Sequence, residues 1–306
     1  MSFTLIIPYS NPDLDGTACA EAYAEYLNKQ GGNAKAAVFG TPHREAQYVL
    51  EKIEEQPEDA SDLFEGAEDV IIVDASDLRG ISDKVEPENV TEIIDHRKEH
   101  HADQFPNADA QIELVGAAAT LIAEKFHENN VEISDESAIL LYGAIISNTM
   151  NFQANVATER DKEMAEWIQK QTDIERNFGR KMFEHKSEFN EPIKHVFLGD
   201  FSTVTYGNED IGIAQLEIVD VNQFVKQNKN EIQEALEEIK EEQNLEYIFL
   251  TCADLEEGFN HFVTIDTETT ELLSNALNVE FSDKEAIRQD VLLRKEIIPK
   301  LKSELE

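Results

Sequence analysis

Short apolar runs alternate with longer amphipathic stretches through the first half of the chain, the pattern of strands and helices laid around a parallel sheet covered on both faces. Phe3 to Pro8 (FTLIIP) reads as a strand. A polar loop from Ser10 to Gly16 follows it, then an Ala-rich segment with apolar residues at helical spacing that stops at Gly31-Gly32. Further strands are predicted over Ala34 to Phe39, Asp69 to Val73 and Asn89 to Ile94, with a helix from about His43 to Ile53 between the first two. Three helical patterns come next, near Gly116 to His127, Ser134 to Ser147 and Thr158 to Lys170.

The periodicity breaks between Phe183 and Pro192, where a polar stretch closed by proline reads as a linker. Two domains are expected on either side of it, residues 1–187 and 193–306. In the second, His195 to Asp220 reads as strands joined by a turn at Gly207-Asn208, and Val221 to Asn244 as one acidic amphipathic helix. Tyr247 to Asp254 and His261 to Thr267 read as strands, and Thr270 to Leu277 as a helix, an order that fits a smaller α+β domain with a mixed sheet. The Glu-rich run from Glu231 to Gln243 reads as a solvated face.

Charge narrows the partners. The 306 residues carry 64 Asp and Glu against 26 Lys and Arg, a formal net charge of −38. Nucleic-acid binding depends on Lys and Arg neutralising phosphates, and an acidic leaflet repels such a surface, so neither duplex nucleic acid nor a membrane is expected as a partner. At 41% hydrophobic and 29% charged residues the composition is that of an ordinary globular protein. Lysine outnumbers arginine, which argues against salt adaptation as the source of the acidity. The N-terminal MSFTLIIPYS lacks a basic region and does not read as a signal peptide, and no stretch approaches the roughly 20 apolar residues of a membrane span. Cys19 and Cys252 are far apart and form neither a disulfide framework nor a zinc site, so a reducing, cytoplasmic setting is expected.

Candidate chemistry collects at strand ends. The first strand leads to Asp13 and Asp15, the third to Asp74, the fourth to Asp95 and His96. Ligands bind outside the carboxyl ends of strands in an open parallel sheet, so these groups should converge on one crevice. Clustered carboxylates without cations repel one another. Hard oxygen ligands with one imidazole suit divalent ions of the Mg and Mn class, or Co, and metal-assisted hydrolysis of a phosphoryl group. An Asp at a strand end is also an ordinary turn former or helix cap, and Asp15-Gly16-Thr17 has the make-up of a cap. Three strands ending alike, one of them adding Asp-His, weigh against that reading. No GxGxxG or Walker-type loop is present, which removes dinucleotide and P-loop readings.

Together, Asn11-Pro12-Asp13-Leu14-Asp15-Gly16, Val73-Asp74 and Asp95-His96-Arg97 resemble the first three motifs of the DHH phosphoesterase superfamily, and among its members the manganese-dependent (family II) inorganic pyrophosphatases. Val115 to Thr120 resembles the GSTAT-type segment and Ser147 to Phe152 the SDT-type fourth motif. Thr158-Glu159-Arg160-Asp161, Asp200 and Gly212 to Gln215 also resemble family segments, and Arg294 to Pro299 is similar to the SRKK-containing end of the second domain. The resemblance spans nearly the whole chain in order. It implies an α/β fold, with an N-terminal parallel-sheet DHH domain and a smaller C-terminal α+β, DHHA2-like lid domain. It also implies one or two Mn2+ ions, with Co2+ or Mg2+ as alternatives, and homodimerisation through an edge strand.

Carried over by position, Asp13, Asp15, Asp74 and His96 keep metal-ligand types, with Asn148 a weak ligand or orienter where the pyrophosphatases have Asp. Tyr9 stands where they have a metal-binding His, and Arg97 replaces the second His of the third motif, as in the prune-like branch. Leu293 and Ser202 replace basic residues, leaving Arg294 and Lys295, with Arg97, as the expected phosphate contacts. A phenol stays protonated near neutral pH and is a poor ligand for a hard cation, so metal binding should weaken. Arg97 adds a planar donor suited to phosphate. The expected activity is hydrolysis of pyrophosphate or a related short phosphate anhydride, with Asp13, Asp15, Asp74, His96 and Arg97 catalytic. A phosphodiesterase acting on a small nucleotide, or a phosphate-binding member without turnover, are the alternatives. His43, His100 and His101 read as surface histidines and Cys19 as core packing.

Overall fold

The computed structural model describes residues 2–54, 56–207 and 209–305. The chain divides into two compact units, Met1–His185 and Lys186–Glu306. The first contains, in order, β1 (Phe3–Ile7), α1 (Leu14–Lys29), β2 (Ala34–Val38), α2 (Arg44–Leu50), β3 (Glu58–Asp59), α3 (Ala60–Leu63), β4 (Ala67–Val73), β5 (Val90–Asp95) and β6 (Asp109–Ile112). Four helices complete that half of the chain: α4 (Ala118–Glu128), α5 (Asp135–Asn148), α6 (Glu159–Ile168) and α7 (Phe178–Ser187), the last reaching the unit boundary.

Every pairing in the six-stranded sheet is parallel, in the order β3-β2-β1-β4-β5-β6. The central strands are apolar without alternation because both faces are covered: Leu5, Ile6, Ile7, Ile72, Val73, Ile93 and Ile94 are all fully buried. The strand order reverses between β1 and β4, so the loops leaving their carboxyl ends diverge and open a crevice there. Small side chains let α1 lie close to α4 and α5, with Ala18, Cys19 and Ala22 buried.

The second unit carries α8 (Ile193–Gly199), β7 (Phe201–Tyr206), β8 (Glu209–Ile218), α9 (Val221–Gln227), α10 (Lys229–Gln243), β9 (Tyr247–Asp254), β10 (Asn260–Thr264), α11 (Thr267–Leu277), β11 (Glu285–Arg288) and α12 (Arg294–Leu305). Its five strands run β11-β10-β9-β8-β7, all antiparallel except the β8–β9 pair, so the sheet is mixed. Alternation along β8 separates two cores: Ala214, Leu216 and Ile218 pack with α8, α9 and α10, whereas Ile211 and Ile213 pack with α11 and α12.

Several local expectations change. His195 to Gly199, expected in a strand, belongs to α8, because Ile193, Val196 and Phe197 fall at helical spacing and are buried together. The single helix expected from Val221 to Asn244 is two, separated at Asn228. The stretch read as linker is entered by α7, whose Phe178, Met182 and Phe183 are buried. Of the expected turn, Gly207 is left-handed at φ +63°, and Asn208 lies outside the described residues. Among the described residues, no helix is long and apolar enough to cross a membrane.

Candidate metal centre

The carboxyl ends of β1, β4 and β5 deliver the chemistry. Asp15 sits in the first turn of α1, Asp74 follows β4 directly, and His96 follows β5. Ligand atoms of Asp15, Asp74 and His96 lie within 4.8 Å of one another. Asp13 is outside this set: it is the N-cap of α1, with Oδ1 accepting the Gly16 N–H at 3.0 Å. The cap is therefore Asp13, and Asp15-Gly16-Thr17 lies inside the helix. A Cβ at residue 16 would stand 2.8 Å from the Pro8 Cβ, so glycine lets the helix start against the β1 loop.

Each member of the set is held by backbone. The Asp15 carboxylate lies against the N-terminus of α4, with Oδ2 accepting the Ala118 N–H and Oδ1 the Ala119 N–H, both at 2.8 Å, a position favoured for an anion. It also accepts from the Asn148 side-chain amide at 2.7 Å and from the Cys19 thiol at 3.4 Å. Asp74 adopts the left-handed conformation, φ +51°, which Asp tolerates, with its N–H on the Ile94 carbonyl at 2.8 Å. His96 Nδ1 lies 3.0 Å from the Val115 carbonyl. A carbonyl only accepts, so that nitrogen carries the proton and Nε2 faces Asp74 Oδ1 at 3.4 Å and Asp15 Oδ2 at 3.8 Å.

The electrostatics of the three groups favour positive charge between the two carboxylates. Asp74 Oδ1 is buried and accepts no hydrogen bond. Burial pushes the Asp74 carboxyl well above its ordinary pKa, and the charges of Asp15 and Asp13 push it further. Asp15 is raised as well, by burial, with His96 opposing the shift and Asp13 adding to it. Burial alone would lower the His96 pKa, but the close approach of Asp74, together with the Asp15 charge, outweighs it and pushes the group up to about 10. A proton on Nε2 is thus one way to fill the gap between two carboxylates. A divalent ion, which these hard ligands suit, is the other.

The neighbouring side chains depart from a second set of ligands. Tyr9 accepts the Asp13 N–H on its hydroxyl at 3.0 Å, and burial, with the Asp13 and Asp74 charges, keeps its phenol protonated. Arg97 Nη2 donates to the Asp74 backbone oxygen at 2.5 Å. Asp95 is buried, accepts the His96 N–H at 2.8 Å and the Ser76 hydroxyl, and is not one of the converging ligands. His43, His100 and His101 are exposed and outside the set. In the second unit the Arg294 guanidinium is bound to Asp200, with Nη2 2.5 Å from Oδ1, and Lys295 is exposed.

One residue given no role by the sequence reading supports the whole centre. Asp161 is fully buried and takes the Gly116 N–H on both oxygens, the Thr120 hydroxyl at 2.6 Å, and the Thr158 N–H and hydroxyl at 2.7 Å each. It thereby fixes the turn that presents the Val115 carbonyl to His96 and the first N–H groups of α4 to Asp15. The Cys19 thiol, expected only to pack, also touches the centre; burial and the Asp15 charge hold it protonated, as a donor.

Asn148 lends itself to a direct test. Its amide N–H occupies a lone pair of Asp15 that an ion could use, and the side chain carries no charge of its own. Asn148→Asp is expected to tighten Mn2+ binding at least roughly tenfold, as an added carboxylate ligand should. Calorimetric titration of the two metal-stripped proteins reads this, and equal affinities would remove Asn148 from the centre.

A parallel sheet with Asp, Asp and His gathered beyond its carboxyl ends, followed by a mixed-sheet domain, is the build of a DHH phosphoesterase. Residues 4–145 match the DHH family N-terminal domain and residues 180–303 the DHHA2 domain. The "Probable manganese-dependent inorganic pyrophosphatase" of Bacillus velezensis is 30% identical over 311 residues, spanning 98% of each chain. The manganese-dependent inorganic pyrophosphatase of Bacillus subtilis is 28% identical over 308 residues, again 98% of each. A crystal structure described as "Methanococcus jannaschii putative family II inorganic pyrophosphatase" superposes with TM-score 0.69 at 25% identity, covering 99% of both chains. The chain belongs to the DHH phosphoesterase superfamily, in the family of the manganese-dependent inorganic pyrophosphatases.

Proposed function

We propose that this protein is a divalent-metal-dependent phosphohydrolase that splits pyrophosphate or a related short phosphate anhydride. The observation that carries the reading is the buried Asp74 oxygen that accepts no hydrogen bond and faces the Nε2 of His96 beside Asp15. The relatives named as manganese-dependent inorganic pyrophosphatases support the choice of substrate class and metal. Asp15, Asp74 and His96 would hold an ion of the Mn2+ class, with Co2+ or Mg2+ as alternatives. When bound, such an ion supplies charge against the phosphoryl oxygens and acidifies water.

The protein's own groups do the rest. The α4 peptide groups favour the ionised form of Asp15 and fix its carboxylate, and Val115 holds the His96 ring so that Nε2 points inward. Arg97, with its side chain 39% exposed, offers N–H groups to a phosphate oxygen. Asn148 orients Asp15 through its amide, and Asp13 shapes the first turn of α1 as its cap. Arg294 and Lys295 are proposed as further phosphate contacts, Arg294 by exchanging its bond to Asp200.

The test is a substrate panel. Metal-stripped protein with added Mn2+, Co2+ or Mg2+ is offered pyrophosphate, tripolyphosphate, a cyclic dinucleotide and a linear dinucleotide. Phosphate release from the first two alone, and only with metal, is the expected result. Cleavage confined to the diesters would make it a phosphodiesterase. No turnover with any metal, while phosphate still raises the melting temperature, would leave a binding protein.

A further inference from the structure

We infer that the centre takes one divalent ion per chain, because the Arg97 guanidinium already serves Asp74 as a fixed cation. This rests on the metal-centre reading above and adds to it the number of ions and the residue that sets that number. Two groups of contacts meet at Asp74. One is the ligand set itself, Asp15, Asp74 and His96, with atoms within 4.8 Å of one another. The other is Arg97, whose Nη2 donates to the Asp74 backbone oxygen at 2.5 Å and stands 3.6 Å from Asp74 Oδ1, while Nε stands 3.7 Å from Asp95 Oδ1. The guanidinium also lies 5.5 Å from the centre of the Tyr9 ring, within range of a cation–π contact.

What remains beside Arg97 is a poor ligand set for another hard cation. Tyr9 is a neutral phenol whose oxygen already accepts the Asp13 N–H at 3.0 Å. Asp13 has Oδ1 committed to the Gly16 N–H at 3.0 Å, and Asp74 is shared with the guanidinium. Arginine does not give up its proton, so a second divalent ion would face an obligatory like charge across a few ångströms of largely buried space. The same guanidinium relieves the repulsion among the acids that a second ion would relieve. Its Nη1 makes no hydrogen bond among the described residues, so Arg97 keeps a donor for an anion.

The experiment counts ions. Metal-stripped protein is titrated with Mn2+ in a calorimeter, and the loaded sample is examined by electron paramagnetic resonance. One Mn2+ per chain with the spectrum of an isolated ion is expected. Two per chain, or a spin-coupled pair, overturns the inference and leaves the metal-centre reading standing; no bound Mn2+ overturns both. Arg97→Gln, which keeps a side chain of similar reach without the charge, is expected to tighten Mn2+ binding about tenfold, since a nearby positive charge has been removed. Unchanged affinity counts against the inference. Tyr9→His combined with Arg97→His should bind two ions per chain. The same variant still binding one, with its circular dichroism unchanged, overturns it.

Discussion

Asp74→Asn should lower phosphohydrolase activity by roughly a thousandfold and, in the same preparation, raise the melting temperature of the metal-free protein. The loss follows from removing a ligand that the cation cannot replace: a bound ion's charge stabilisation is worth several kcal/mol, and about 1.4 kcal/mol is tenfold in rate. The gain follows from the direction of the Asp74 shift. Burial and the neighbouring acids raise its folded-state pKa above the unfolded value, so the ionised form is penalised only when the protein is folded. For a carboxyl shifted upward, the folded state binds more protons than the unfolded chain. Stability is highest below the unfolded value and falls as pH rises through the folded one. His96 adds the same sign, because its pKa, raised to about 10, gives stability that is present below the unfolded imidazole value and lost as pH climbs toward 10. Metal-free protein should therefore melt lower at pH 9 than at pH 6, and the Asp74→Asn variant should show less of that fall. Asparagine tolerates the left-handed backbone at this position, so the substitution isolates the charge. Calorimetric melting of both proteins across that range, with and without Mn2+, checks each part. A variant that keeps its activity would remove Asp74 from the centre.

Asp161→Ala should cost about 4 kcal/mol in stability and weaken Mn2+ binding between roughly tenfold and a hundredfold. The side chain touches none of the three ligands. Its fully buried carboxylate collects five hydrogen bonds from Gly116, Thr120 and Thr158. Truncation leaves buried donors unsatisfied, which costs more than the net worth of the bonds themselves. Gly116 shows how tightly the turn is packed: a Cβ there would stand 2.5 Å from Thr149 Cγ2 and 2.9 Å from Asp161 Oδ2. Loosening it frees the Val115 carbonyl and the α4 N-terminus, and with them the orientation of His96 and Asp15. Urea unfolding gives the first number and metal titration of the folded variant the second. Asp161→Asn, which keeps an acceptor, should recover part of both, whereas equal losses in the two variants would point to charge rather than support.

What the sequence conveys and what it hides follow from how local each feature is. The apolar runs of β1, β4 and β5 are readable because strands covered on both faces need no alternation. The polar DAQI of β6 is unreadable, since its residues are half-buried or exposed and only pairing with β5 makes them a strand. Residues His195 to Gly199 mislead because a short apolar run ending in glycine fits strand and helix alike; burial of Ile193, Val196 and Phe197 on one face decides it. At the centre, acids at three strand ends can be seen from order alone. That Asp13 caps α1 while Asp15 turns to α4 depends on side-chain direction, which spacing of two residues does not reveal. The segment holding Asp161 is visible as a family likeness, but its role is not, because its partner Gly116 lies 45 residues away and the bond is made to a peptide group that every residue possesses.

The bonds from Ala118 and Ala119 to Asp15 make the centre unevenly compliant. One wall is pinned to a helix end through both carboxylate oxygens, while opposite it an imidazole hangs from a single carbonyl and Asp74 keeps an oxygen that accepts no hydrogen bond. Exchanging one ion for another of different radius should leave the helical frame in place and register as the swing of two side chains. Selectivity among metals of similar chemistry would then follow from how far His96 and Asp74 can adapt to the ion's size, with Asp15 as the stationary jaw.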